Sequence, residues 1–234
     1  MTSPTSTALV RRPRVLVLDV NETLSDMTHL GDRFVEVGVP PYLAATWFAG
    51  LLRDGFAMAL TGRNAAFADV ARSSLHAVLH DKANVEAATR HIMAGFQSLP
   101  LHDDVCDGIR ALGALGLRLV TLSNGSADVA EGLFERGGIR DALERVLSVE
   151  NAPAWKPAAS AYAYALGECG VAAEDAILVA VHPWDVHGAK AAGLRAAWID
   201  RTGAPYPQTM DAADVVARSL PDLASRLEAL PSDA

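Results

Sequence analysis

Asp19 is the residue in this chain best placed to act as a nucleophile. It closes the run Arg14-Val15-Leu16-Val17-Leu18, and a polar stretch, Val20-Asn21-Glu22-Thr23, follows it. A buried parallel strand reads as a continuous apolar run. A carboxylate at the C-terminal end of such a strand points into the crevice where open α/β sheets bind ligands. From there it can attack an electrophile and form a covalent ester. A turn-forming aspartate that caps the next segment has the same local pattern, so the decision rests on what accompanies it.

Three further segments place polar groups after apolar runs. In Leu122-Ser123-Asn124-Gly125-Ser126, a hydroxyl, an amide and a helix start stand together, a set suited to a carboxylate or phosphate. In Trp155-Lys156-Pro157, Lys156 can offset the charge of Asp19 and keep it ionised. In Ala180-Val181-His182-Pro183-Trp184-Asp185, a second carboxylate, Asp185, stands at the crevice edge, and His182 is three residues before it. An imidazole there can bind a substrate carboxylate or take part in water chemistry. Taken singly, each segment also reads as an ordinary turn, cap or solvated charge.

The elements that must position these groups alternate. Strand patterns occur at 14–18, 117–122, 145–149, 176–181 and 195–199. Helical patterns separate the later ones, at 103–115, 126–137, 158–168 and 186–192, and a last helix follows Pro221. That alternation predicts an α/β fold with a parallel, Rossmann-like sheet of five or more strands covered on both faces. About 95 residues separate the first two strands, where a crossover needs only a dozen or so. Most of that stretch has helical periodicity, as at 41–60, 64–80 and 84–97. It predicts a helical cap over 27–98, inserted after strand one into a core of 14–26 and 99–234. Trp47 and Phe48 are candidates to line a pocket under the cap, or to pack it. Residues 1–13, rich in Ser, Thr and Pro, are expected to form a disordered leader.

Bulk properties narrow the partners. The formal net charge is −8 over 234 residues, which argues against nucleic acid or an anionic membrane as the main partner. No apolar run approaches the roughly 20 residues needed to span a bilayer. Two cysteines outside any CxxC spacing are expected to be reduced thiols, as in a cytoplasmic protein.

The order Asp, Ser/Asn, Lys, Asp at successive strand ends, with a helical insertion after the first, resembles the haloacid dehalogenase superfamily over about 14–230. Within it the chain is similar to the type II (S)-2-haloacid dehalogenases. Leu122 to Ser126 matches their Leu-Ser-Asn-Gly-Ser segment. Lys156, Pro157 and Tyr162 match Lys-Pro-x-x-x-x-Tyr. Trp184, Asp185, Gly188 and Ala189 match Trp-Asp-x-x-Gly-Ala. The resemblance implies a hydrolase that needs no cofactor, acts on a small carboxylic acid and can form a homodimer.

Departures from that pattern occur at four places. Asn21 stands where phosphatases of the superfamily carry a proton-donating Asp and the dehalogenases usually carry a Tyr. Ala45 stands near where a cap arginine would accept the halide. Ala180 and His182 replace the usual Ser-x-Asn. Halide leaves without a proton, so Asn21 is compatible with attack on carbon. The expected roles are Asp19 as nucleophile, Lys156 and Asp185 as aids to ester hydrolysis, and Thr23 orienting the nucleophile loop. Asn21, Ser123, Asn124, His182, Trp47, Phe48, Tyr162 and Trp184 are expected around the substrate, with no metal. Alternatives are opening of a strained ring such as azetidine-2-carboxylate, a phosphatase using Mg²⁺, and a non-catalytic binding protein.

Overall fold

The computed structural model describes residues 11–231. Six strands form one parallel sheet: β1 (Val15–Leu18), β2 (Arg118–Ser123), β3 (Arg145–Ser148), β4 (Ala176–Ala180), β5 (Arg195–Ile199) and β6 (Val215–Ala217). Their spatial order is β3-β2-β1-β4-β5-β6. The chain lays strands to one side of β1 and then to the other. The C-terminal end of β1 is therefore a topological switch point, where sheets of this kind open a crevice. Asp19 follows β1 directly, and its N–H donates to Val179 O at 2.9 Å.

The pleat of β1 divides the core. Leu16 and Leu18 face a cluster with Val105, Ile109, Phe134 and Leu223, which belong to α5 (Val105–Ala114), α6 (Ala127–Arg136) and α9 (Leu220–Glu228). Val15 and Val17 face the other cluster. That cluster includes Tyr162 of α7 (Ala159–Cys169) and Val186 of α8 (Pro183–Ala191). Such a two-sided apolar strand needs a layer of helices on each face.

Between β1 and α5 lie four helices: α1 (Leu30–Glu36), α2 (Leu43–Leu60), α3 (Phe67–Val78) and α4 (Val85–Gln97). Their breaks fall at Thr61–Ala66, which contains Gly62 at φ +75°, and at Leu79–Asn84, where Asn84 accepts the Ala87 N–H and caps α4. Phe34, Trp47, Phe48, Phe67 and Phe96 fill their centre. This aromatic core continues into the sheet face through Trp155, whose ring stacks on Phe67 at 5.7 Å and whose Nε1 donates to Ala65 O at 2.9 Å. Asn64 Nδ2 donates to Val149 O and Ala152 O at 2.9 and 2.7 Å. Gly55 of α2 lies so near Trp155 that a Cβ there would be 2.3 Å from the indole.

The strand and helix patterns agree with this fold except at β6. That strand has three residues in a segment rich in Ala and Asp, too short for its alternation to register. Of the expected leader, residues 1–10 lie outside the described residues. Arg12 and its neighbours are tied down instead: Arg12 N–H donates to Pro231 O and its guanidinium to Leu227 O and Glu228 O. No described helix is long and apolar enough to cross a membrane.

Candidate active site

Lys156 is fully buried and its ammonium lies between two carboxylates. Nζ donates to Asp19 Oδ1 at 2.9 Å and to Asp185 Oδ2 at 2.6 Å. Thr23 Oγ1–H donates to Asp19 Oδ2 at 2.6 Å, and Thr23 Oγ1 in turn accepts Val181 N–H at 3.1 Å. Tyr162 O–H donates to Asp185 Oδ1 at 2.6 Å. Asp19, Thr23, Lys156, Tyr162 and Asp185 are each at most 3% exposed. Buried charges persist only when paired and hydrogen-bonded, and here both carboxylates are. Gly188 is what allows α8 to approach: a Cβ there would stand 2.5 Å from Pro157 and 2.6 Å from the Tyr162 hydroxyl.

The two carboxyls titrate in opposite directions. Burial pushes both up. At Asp19 the charges of Lys156 and His182 and the Thr23 bond outweigh it, so this carboxyl lies below its ordinary value. At Asp185 burial, with the Asp19 charge added, prevails over Lys156, and the carboxyl lies above its ordinary value. Burial alone would lower the Lys156 ammonium, but Asp185 and Asp19 hold it up. Burial and the Asp185 charge keep Tyr162 protonated, as the donor it must be. Two acids pushed apart in this way, one ready to attack and one ready to take a proton, suit a two-step displacement.

The β2–α6 turn contributes Ser123 and Asn124. Ser123 Oγ accepts Gly125 N–H at 2.9 Å. Ser123, Gly125 and Ser126 line a cavity with Asn21, Phe67 and Phe96. Asn124 differs from expectation. It is 3% exposed, and its amide donates to Lys156 O at 3.1 Å and accepts Lys156 N–H at 2.9 Å. It brackets the lysine backbone, which engages one N–H and the oxygen of the amide.

On the other side of the nucleophile loop, a cleft runs between the four helices and the sheet. Glu22, Phe48, Leu52, His182, Trp198 and Arg201 are among its lining residues. His182 Nε2 is 3.2 Å from Asn21 O, 3.5 Å from Glu22 Oε2 and 3.9 Å from Asp19 Oδ2. Its ring stacks on Trp184 at 5.1 Å, and Trp184 meets Phe56 edge-on at 4.9 Å. Glu22 has φ +62°, a left-handed conformation rare for a residue with a Cβ. Burial, with the Asp19 charge, raises its carboxyl above the ordinary range. Sequence reading passed over Glu22. Its only signal was a carboxylate three residues after the nucleophile.

A family model described as haloacid dehalogenase-like hydrolase matches residues 13–193. The chain belongs to this family. It is 27% identical over 209 residues to an (S)-2-haloacid dehalogenase of Pseudomonas sp. (strain YL), covering 88% of this chain and 90% of that one. It is 34% identical over 125 residues to haloacetate dehalogenase H-2 of Moraxella sp. (strain B), covering 53% and 55%. Among solved structures it resembles an L-2-haloacid dehalogenase with a TM-score of 0.86 at 26% identity, covering 93% of this chain and all of that one (100%). The haloacid dehalogenase-like fold thus extends over nearly the whole chain.

For a member of this family, the placement of the expected residues divides cleanly. Asp19, Thr23, Lys156, Tyr162 and Asp185 are brought into one bonded group; Asn21 and Ser123 line one cavity, Phe48 and His182 line the cleft, and Trp184 stacks on His182. Trp47 is not among them. It is fully buried, its Nε1 donates to Ala71 O at 3.1 Å, and its ring contacts Phe34, Phe48 and Phe96. It packs the helices rather than facing a cavity. Among the described residues, no three His, Cys, Asp or Glu side chains are grouped to hold a metal ion. Lys156 Nζ bridges Asp19 and Asp185.

Proposed function

We propose that the protein hydrolyses a small 2-haloacid without a metal, through an aspartyl ester on Asp19. The observation that carries this reading is the bonding of the nucleophile, whose two oxygens accept from Lys156 Nζ at 2.9 Å and from Thr23 Oγ1–H at 2.6 Å. Lys156 and Thr23 hold Asp19 ionised, while Asn21, two residues on, has no acid to give. That suits a leaving group that departs as a stable anion. The names of the relatives, (S)-2-haloacid dehalogenase and haloacetate dehalogenase, support the same substrate class.

Asp19 attacks C2 from the side opposite the halogen, and the carbon–halogen bond breaks as the ester bond forms. The substrate carboxylate is held by the Ser123 hydroxyl and the N-terminus of α6. Water then attacks the ester carbonyl carbon, Asp185 takes its proton, and the 2-hydroxy acid leaves with inverted configuration. Residues 27–98 act as a cap over the core, and Phe48 and Trp184 exclude water from the reacting carbon.

The test is halide release from (S)-2-chloropropionate in EDTA, with a single turnover in ¹⁸O water. Label in the Asp19 peptide before it reaches product is the expected result. Phosphate-ester hydrolysis abolished by EDTA, with no halide released, would overturn the reading.

A further inference from the structure

His182 stands beside the nucleophile, with Asn21 O as its hydrogen-bond partner and two carboxylates near it. Its Nε2 faces three oxygens, those of Asn21, Glu22 and Asp19, at 3.2, 3.5 and 3.9 Å. A carbonyl and two carboxylates can only accept, so Nε2 carries a hydrogen. This nitrogen cannot take a proton from water. It can only donate.

We propose that His182 Nε2–H is a catalytic hydrogen-bond donor to Oδ2 of Asp19 during hydrolysis of the ester, and that Glu22 is its positioning residue. The proposal rests on the aspartyl-ester reading given above. In this proposal Oδ1 carries the substrate carbon, and Oδ2, which accepts the Thr23 bond and is the Asp19 oxygen paired with His182, becomes the ester carbonyl oxygen. When water adds to the carbonyl carbon, the C–O π pair moves onto Oδ2 and the water proton goes to Asp185. Oδ2 then carries a full negative charge. Thr23 Oγ1–H at 2.6 Å is its first donor. His182, at 3.9 Å, is the second, and is drawn in as the charge grows. Collapse returns the pair to the carbonyl, breaks the Cγ–Oδ1 bond, leaves the water oxygen on Asp19, whose remaining hydroxyl proton is lost to solvent, and releases Oδ1 with the substrate carbon as the product hydroxyl. Asp185 returns the proton to that oxygen.

The surroundings support a positioned donor. Trp184, itself met edge-on by Phe56, stacks on the imidazole ring. The left-handed Glu22 turns its carboxylate toward the imidazole, and strained backbone of this kind is held only where neighbours over-determine it. His102 Nε2, 3.0 Å from Glu22 O, secures that turn from outside the loop.

The experiment follows both half-reactions by rapid quench of the full-length enzyme with (S)-2-chloropropionate, reading halide release and the mass of the Asp19 peptide. For His182→Phe and His182→Leu, which have no side-chain donor, halide release in the first turnover should change less than about threefold. Ester decay should slow by about 10²-fold, the usual loss for one oxyanion donor, so the ester adduct accumulates. Glu22→Ala should slow decay several-fold, with partial recovery in Glu22→Gln, whose amide oxygen still accepts the N–H. Thermal melts identify any variant that has not folded, and the second His182 variant then stands for the first. A folded His182 variant that loses first-turnover halide release, or that shows no adduct, overturns the proposal. If wild-type enzyme puts no ¹⁸O into Asp19, the ester reading itself fails, and this inference with it.

Discussion

Beneath the nucleophile, Lys156, Asp19, Asp185, Thr23 and Tyr162 are joined by bonds of 2.6 to 2.9 Å and are almost wholly buried. On the cleft side, His182 meets its partners at 3.2 to 3.9 Å, and the Glu22 side chain is 41% exposed. The contrast follows from the cost of desolvation. A buried charge that loses its partner is strongly penalised, so the floor tolerates no partial change. Exposed, longer contacts contribute little to stability, so the wall can be altered while the fold persists. Asn21 and His182, both departures from the dehalogenase pattern, belong to the wall.

The strongest test of the floor is Asp19→Asn. It removes the attacking charge while keeping shape, and halide release should fall by about 10⁴-fold or more. Turnover within tenfold of wild type would break the comparison at its base. Next is Lys156→Met, which leaves two carboxylates facing each other. Urea unfolding should show a loss of about 3–5 kcal/mol. His182→Gln in the wall should cost less than about 1 kcal/mol in the same assay.

A smaller effect separates the two acids by pH. Asp19 lies below the ordinary carboxylate range, so its contribution to stability is full above the unfolded aspartate value and is lost as pH falls through its folded value. Asp185 lies above that range, so its contribution has the opposite sign and is lost as pH rises through its folded value. The acid limb of ester decay should therefore follow Asp185. Tyr162→Phe removes a bond to the ionised carboxylate, raises Asp185 further and should move that limb to higher pH. A limb that stays in place would show that Asp185 is not the base. The smallest effect distinguishes Asn124 from Ser123. Asn124→Ala should lower stability by about 1–3 kcal/mol with little change in KM. Ser123→Ala should raise KM several-fold with stability nearly unchanged.

The floor was legible in the sequence because each of its members follows a strand end or opens a helix, at spacings that the parallel sheet converts into proximity. Asp19, Lys156 and Asp185 could be brought together on paper. What Asn124 does could not. An amide in a turn has the same appearance whether it faces a substrate or another loop's backbone, and only the packing of the Lys156 segment decides. Trp47 was ambiguous for a related reason, since helical spacing marks an apolar face without saying what covers it. Glu22 was hidden by its backbone. No local rule predicts a left-handed glutamate, because tertiary contacts impose it.

Gly55 and Trp155 tie the helical segment to the loop that ends in Lys156. The indole fills the space left by the missing side chain on α2, and Asn64 grips the same loop at Val149 and Ala152. Lys156 is the next residue in that loop. The two parts are therefore not interchangeable modules. A helical segment transplanted from a relative would have to bring its own 149–155 loop, or it would displace the ammonium that keeps Asp19 charged. Recombination among such enzymes should respect this seam, and chimaeras joined anywhere inside it should lose activity before they lose their fold.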